Sequence, residues 1–345
     1  MIKIFEAFSG YGSQSLALRN TGLDYRIVGI SEIDSSAIKA HEILHGKVEN
    51  FGDITKINYN DIPDHDLFTY SFPCQDISAS GKNASFEEGS GTRSSLLWEC
   101  RKIIECKKPK YLLMENVKNI LNKNHKQFFL KWVEVLESMG YNNFYDVYNS
   151  KDYGIPQNRE RVFMVSILGE DSNFVKPQKR DNMVQLSDII EKNVPDSLYV
   201  SSLQRVSDEN NVAQLVDFTK LCPNFMHKGI HEVKTPCIVA SRGRNPQNTS
   251  SRTSGIPTVQ VIEPNTKGVS NTLTTVLKDN YVLMPDGKIR NLSVRECFRL
   301  MGVSDKDIDK LLVSDLKETN LYKLAGNSIV VQVMEDIFKS IFIDE

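Results

Sequence analysis

The 345-residue chain is 40% hydrophobic and 25% charged, the composition of a globular protein with room for one large domain or a large one with a smaller companion. It has no apolar run approaching the roughly 18 residues of a membrane span, and MIKIFEAFSG enters a strand-like run with no signal peptide. The six cysteines include no CxxC pair, which disfavours zinc or any other bound metal as well as a disulfide framework, and makes a reducing, cytoplasmic setting the expectation.

Taken in chain order, short apolar runs alternate with helix-period segments through the first half. KIFEAF, YRIVGI, DLFTYSF, KYLLMEN and RVFMVSI read as strands buried on both faces. Between them, SSLLWECRKIIECKK puts Leu96, Leu97, Cys100, Ile103 and Ile104 on one helical face. This alternation predicts an α/β fold built on a doubly wound, mostly parallel sheet.

FEAFSGYGSQSLAL reads as a strand, a glycine turn and a helix start, with Gly10 and Gly12 free to take backbone angles closed to other residues. Glu32 follows at the end of the next strand, where a carboxylate can bond ribose hydroxyls, and Asp53 stands at a third strand end, where it can accept from an adenine amino group. Ser15 occupies the place of the third glycine of the dinucleotide fingerprint, which argues against NAD and suits an adenosine cofactor without a pyrophosphate. Spacing alone leaves that cofactor's identity open.

Three further features fall at strand ends. Cys74 follows YSFP, where Pro73 restricts the direction of the thiol, although a buried structural cysteine is the commoner fate beside an apolar run. Glu115 closes KYLLMEN, and an acidic residue that opens a helix would look the same. Arg159 and Arg161 stand where RVFMVSI begins and alternate to one side, a pair suited to a phosphate and a base carbonyl, or to an exposed polar edge.

After about residue 178 the pattern changes. VKPQKRDN is linker-like, and residues 205 to 292 are rich in Asn, Ser, Thr, Pro and Gly with isolated β-type runs, as in a smaller, loop-rich, largely β domain. Net charge is −2, yet 12 Lys or Arg stand against 5 Asp or Glu between Lys220 and Leu300, a basic segment on an acidic body and so a footprint for a polyanion. NSIVVQVMEDIFKSIF closes the chain with a helical stripe of Val330, Val333, Met334, Ile337 and Ile341 that is expected to pack back on the first domain. The expected division is residues 1–178 for catalysis and cofactor, 179–318 for target recognition, and 319–345 for the returning helix.

In order along the chain, FSGYG, SEID, GDI, FPCQ, ENV, QNRER, RECFRLMG and GNS together resemble the cytosine carbon-5 DNA methyltransferases of bacteria and phages. The likeness is collinear from residue 3 to 342 apart from about 180 to 265, and FPCQ followed by ENV and QNRER is its most specific part. The resemblance implies a Rossmann-like fold using S-adenosylmethionine and releasing S-adenosylhomocysteine. It implies that Cys74, aimed by Pro73, adds to carbon 6 of a flipped cytosine, that Glu115 holds ring nitrogen 3, and that Arg161 binds the carbonyl at carbon 2 with Arg159 nearby. For the cofactor it implies Phe8, Gly10, Gly12, Glu32, Ile33, Asp53, Ile54, Leu96, Asn327 and Ser328. Ile33 stands where many members carry an aromatic, and Ser13 where a glycine is frequent.

Residues 81 to 95 match the family's mobile loop, and Ser78, Lys82 and Arg93 are assigned to DNA contact. SRGRNPQNTSSRTSG, with Arg242, Arg244, Asn245 and Arg252, is expected to read bases and phosphates, since arginine and asparagine make the bidentate base pairings. The expected partner is double-stranded DNA, with a cognate restriction endonuclease or a phage self-protection role behind it, and the expected state is a monomer. The tRNA-acting relatives lack a large recognition insert. A zinc deaminase needs a second cysteine that PCQDI does not supply, and a non-catalytic DNA-binding regulator would have lost Cys74 or Glu115.

Overall fold

A computed structural model describes residues 1–73, 93–170, 172–181, 184–200, 203–205, 214–216, 235–244, 259–265, 267–275, 280–285 and 288–343, with the backbone alone for 93–94, 203–205, 214–216, 241–244 and 259–264. The main sheet has six strands, β1 (Ile2–Ala7), β2 (Tyr25–Ser31), β3 (Leu67–Tyr70), β4 (Tyr111–Val117), β5 (Tyr141–Asn149) and β6 (Glu160–Leu168), in the order β2-β1-β3-β4-β6-β5. β1 pairs in parallel with β2 and β3, and β3 with β4; β6 runs antiparallel to both β4 and β5.

Strand alternation sends neighbouring residues into two separate cores. Ile4, Leu67, Leu113 and Val165 belong to one face, with α1 (Ser13–Thr21), α2 (Ser35–His45) and the last helix of the chain. Phe5, Phe68, Leu112 and Met164 belong to the other, with α3 (Leu97–Lys107) and α4 (Lys126–Ser138). Trp132 of α4 is fully buried and donates its indole N–H to the Tyr70 hydroxyl at 3.2 Å, which spares the core an unpaired donor. Helices on both faces make the sheet doubly wound, as the alternating pattern predicts.

After β6 come α5 (Leu186–Ile189), the pair β7 (Leu203–Arg205) and β8 (Gln214–Val216), and strands β9 (Cys237–Arg244), β10 (Val259–Asn265), β11 (Tyr281–Leu283) and β12 (Ile289–Asn291). The last four form a separate antiparallel sheet in the order β10-β9-β11-β12. Then follow α6 (Val294–Leu300), α7 (Asp305–Leu312), α8 (Glu318–Asn327) and α9 (Val331–Phe342). α9 buries Val333, Met334, Ile337 and Ile341 and packs against α1, so the chain does return to its first layer.

Three features differ from the sequence expectation. β5 has no apolar run, because YNNFYDVYN is an edge strand with only Tyr141 and Tyr148 buried. The strand expected before Asp53 is reduced to a single bridge, Ile30 to Asn50, because Gly46 and Gly52 take left-handed angles on either side. α6 and α7 lie beyond the 205–292 stretch of β-type runs, within the residues 179–318 assigned to the loop-rich, largely β domain. Each is only two turns long, too short to impose a clear period, and each is set by a serine cap, Ser293 or Ser304.

Candidate active site

The carboxyl end of β1 leads into the turn Phe8–Gly12, where Phe8, Gly10 and Gly12 all take positive φ, at 55°, 56° and 78°. Left-handed geometry costs Phe8 about 1–2 kcal/mol, so the surrounding bonds have to hold it. The Phe8 amide donates to the Ser31 carbonyl at 2.8 Å, and the Gly10 amide donates to Glu32 Oε2 at 2.9 Å. Glu32 Oε1 accepts from the amides of Ile33 and Asp34. Three of about four acceptor positions of this carboxylate are thereby filled, which leaves room for one hydroxyl donor.

Asn50, to which the sequence gives no role, orients Glu32 by taking its amide and donating to its carbonyl, and Ser31 Oγ donates to the Gly52 carbonyl. Asp53 therefore stands beside Glu32 in space. Its Oδ1 accepts from the Thr55 hydroxyl and amide, bonds that hold its carboxyl below the usual carboxylate range and keep the group ionised. Ile54 is buried, Phe8 and Leu96 are half-buried, and Ile33 is 74% exposed. Asn327 is exposed and Ser328 half-buried at the end of α8, whose Lys323 and Asn320 reach Asp34 and Ser36 at the start of α2. Two carboxylates, a turn with close backbone access and a half-buried aromatic fit an adenosine cofactor.

The second half of the site gathers at β3, β4 and β6. Glu115 lies at the carboxyl end of β4, is 9% exposed, and has Oε1 3.2 Å from Nε of Arg161. Burial raises its pKa above the ordinary carboxyl value, against the opposing pull of Arg161, of Arg159 and of a hydrogen bond from Ser71. A carboxyl held this way keeps its proton to higher pH and can share it with a ring nitrogen. Asn116, also unassigned from sequence, donates to the Phe72 carbonyl at 3.1 Å and so fastens the segment that runs into Pro73. Cys74 lies outside the described residues.

β6 begins at Glu160, so Arg161 sits within the strand and Arg159 just before it. Arg159 is 3% exposed and donates to the carbonyls of Leu273, Gly326 and Ser328. Gln157, fully buried and absent from the sequence-derived set, donates to the Leu300 carbonyl and accepts from the Leu273 amide, both at 2.8 Å. The Asn158 amide donates to Ser270, and the Ser270 amide to Pro156. QNRER is therefore a strut: it carries Arg161 to Glu115 and clamps residues 270 to 273 and the GNS turn to the same sheet edge.

Of the expected DNA contacts, Ser78, Lys82, Asn245 and Arg252 lie outside the described residues. The Arg93 backbone opens the turn Arg93–Leu96, and the backbones of Arg242 and Arg244 pair with Val261 and Val259 across β9 and β10. Among the described residues no group of His, Cys, Asp or Glu could hold a metal ion, and no helix is long and apolar enough to cross a membrane.

The model of the C-5 cytosine-specific DNA methylase family matches residues 2–343. The chain is 38% identical to a type II methyltransferase of Lactococcus lactis subsp. cremoris, covering 99% of both chains. It is 27% identical to an orphan methyltransferase of Bacillus phage SPbeta, over 99% of this chain and 97% of that one. Among solved structures, the fold is similar to a methyltransferase of Entamoeba histolytica (TM-score 0.67, 17% identity, 100% and 98% covered). It is also similar to a putative DNA modification methyltransferase from an E. coli prophage (TM-score 0.63, 20% identity, 100% of both).

Proposed function

Because the chain belongs to the C-5 cytosine-specific DNA methylase family, we propose that it methylates carbon 5 of a cytosine flipped out of double-stranded DNA, through a covalent adduct at Cys74. S-adenosylmethionine supplies the methyl group. The Cys74 thiolate adds to carbon 6, which sends electron density to carbon 5 and toward ring nitrogen 3. Glu115 shares its proton with that nitrogen, and Arg161 donates to the carbonyl oxygen at carbon 2. Once carbon 5 is methylated it loses its proton, and the returning electron pair expels the thiolate and restores the ring.

One observation carries this reading: a carboxyl whose pKa is raised by burial, 3.2 Å from an arginine and hydrogen-bonded to Ser71, at the root of the segment leading to Cys74. On this reading Glu32 takes a ribose hydroxyl, Asp53 the adenine amino group, and Phe8 the adenine face, while residues 180 to 265 choose the target sequence. The protein acts as a cytoplasmic monomer in a bacterial or phage-infected cell. The type II name of the Lactococcus relative supports a companion endonuclease, and the orphan name of the phage relative supports an enzyme that works without one.

Duplex DNA with 5-fluorocytosine at the target tests the mechanism, since elimination then has no proton to remove. A stable protein–DNA adduct at Cys74 is expected by mass spectrometry, and Cys74→Ser should form none. Substantial methyl transfer by Cys74→Ser would refute the nucleophile, and transfer to tRNA but not to duplex DNA would refute the substrate. Exchanging residues 180 to 265 for a relative's segment should change the sequence methylated.

A further inference from the structure

Behind the Phe8–Gly12 turn lies a buried polar cluster that none of these roles uses. Glu6, fully buried in β1, accepts from Ser15 Oγ at 2.7 Å and lies 3.3 Å from His41 Nε2. His41 and His45 stand one turn apart on α2 with ring centroids separated by 4.6 Å. His45 Nε2 is 3.1 Å from the Tyr11 carbonyl oxygen. A carbonyl only accepts, so His45 carries its proton on Nε2. Burial, with His41 alongside, pushes the His45 pKa down to about 4, so near neutral pH the ring is an uncharged donor. Gly12 lies flat on this pair: a Cβ there would come within 2.5 Å of His45 Nε2 and 2.8 Å of His41 Cδ2.

We propose that His45 is a positioning residue for the cofactor, holding the Tyr11 peptide so that the Gly10 amide stays directed at Glu32. The proposal rests on the cofactor reading above. The turn is pinned from two sides. Ser31 and Glu32, which close β2 just before α2 begins, take the amides of Phe8 and Gly10, while His45, the last residue of α2, takes the Tyr11 carbonyl. The turn is thus held between the segment that leads into α2 and the residue that ends it. Glu6 orients the partner ring, His41, and through Ser15 fixes the first turn of α1. Without the His45 bond the Tyr11 carbonyl is left buried and unpaired, and the left-handed run through Phe8, Gly10 and Gly12 is held from the Glu32 side alone.

Calorimetric titration of S-adenosylmethionine into DNA-free protein tests this, with duplex DNA affinity measured beside it. His45→Phe keeps a ring and deletes the donor; it should weaken cofactor binding about fivefold to 150-fold, the span of one buried carbonyl left unpaired, and leave DNA affinity within about twofold. His45→Gln restores an N–H at similar reach and should recover most of the loss, whereas His45→Asn is one methylene short and should not. Should the Phe variant fail to fold, the Gln and Asn pair decides. Cofactor affinity unmoved in His45→Phe, cofactor and DNA affinity falling together, or equal affinity in Gln and Asn would each overturn the positioning role. Wild-type protein with no affinity for S-adenosylmethionine would refute the cofactor reading, and this inference with it.

Discussion

Replacing Gln157 by leucine keeps the side chain's volume and removes both of its polar functions. The Leu300 carbonyl and the Leu273 amide, each bonded to Gln157 at 2.8 Å, then lose that partner at a site with no solvent access. A buried backbone group left unpaired costs about 1–3 kcal/mol, so the pair costs about 2–6 kcal/mol. Unfolding entropy is about 2.1 cal/mol/K per residue, or about 0.7 kcal/mol/K over 345 residues, which places the loss of Tm at about 3–8 °C. Scanning calorimetry at neutral pH reads this directly. Arg161 lies four residues on along the same strut, so methyl transfer to duplex DNA should fall even at temperatures where the variant is fully folded. A Tm within about 1 °C of wild type would show that the 270–273 strip is held by other bonds and that the strut argument is wrong.

Glu115→Gln should lower the rate of methyl transfer by about 100-fold to 10,000-fold while cofactor affinity, measured calorimetrically, is retained. Because the folded pKa of Glu115 is raised, its protonated form persists above the ordinary carboxyl range, and single-turnover activity should fall as pH rises through that folded value. Arg161→Gln removes the cation that pulls this pKa down, so the falling limb should move to higher pH; a limb that stays or moves lower would contradict the pairing. Gly326→Ala would bring a Cβ to 2.9 Å from the backbone of Thr274 and Thr275, which cannot step aside as a side chain can. A cost of about 1–3 kcal/mol is expected in denaturant titration, and a change below about 0.5 kcal/mol would mean that the strip slides freely.

What the chain discloses in one dimension depends on whether a residue's role is local. The central strands were readable because burial on both faces forces continuous apolar runs, and the glycine turn and Glu32 because each stands at a strand end; the bond that joins them became visible only in the fold. β5 was not readable, since an edge strand has one wet side and needs no such run. Asn50, Asn116 and Gln157 were missed for a different reason. Each is a polar residue whose partner is a backbone group brought to it only by the fold, in the case of Gln157 from 116 and 143 positions along the chain. His45 was hidden likewise, an apparent member of a helix face until Tyr11 is set against it.

The contact between Pro156–Asn158 and Ser270 means that two points more than a hundred residues apart in sequence are planted on the same spot of the sheet edge. The chain between them first runs through β6 and then makes an excursion that finishes at the address from which it set out. Beyond β6, a change in the length of that excursion leaves the distance between its two feet untouched, so β6, with Arg159 before it and Arg161 within it, keeps its place at the sheet edge. Such a layout lets the excursion vary without disturbing the strands it leaves. It locates the cost of failure at the feet: a lesion at Gln157 or Ser270 would loosen the return to the sheet whatever the excursion contained.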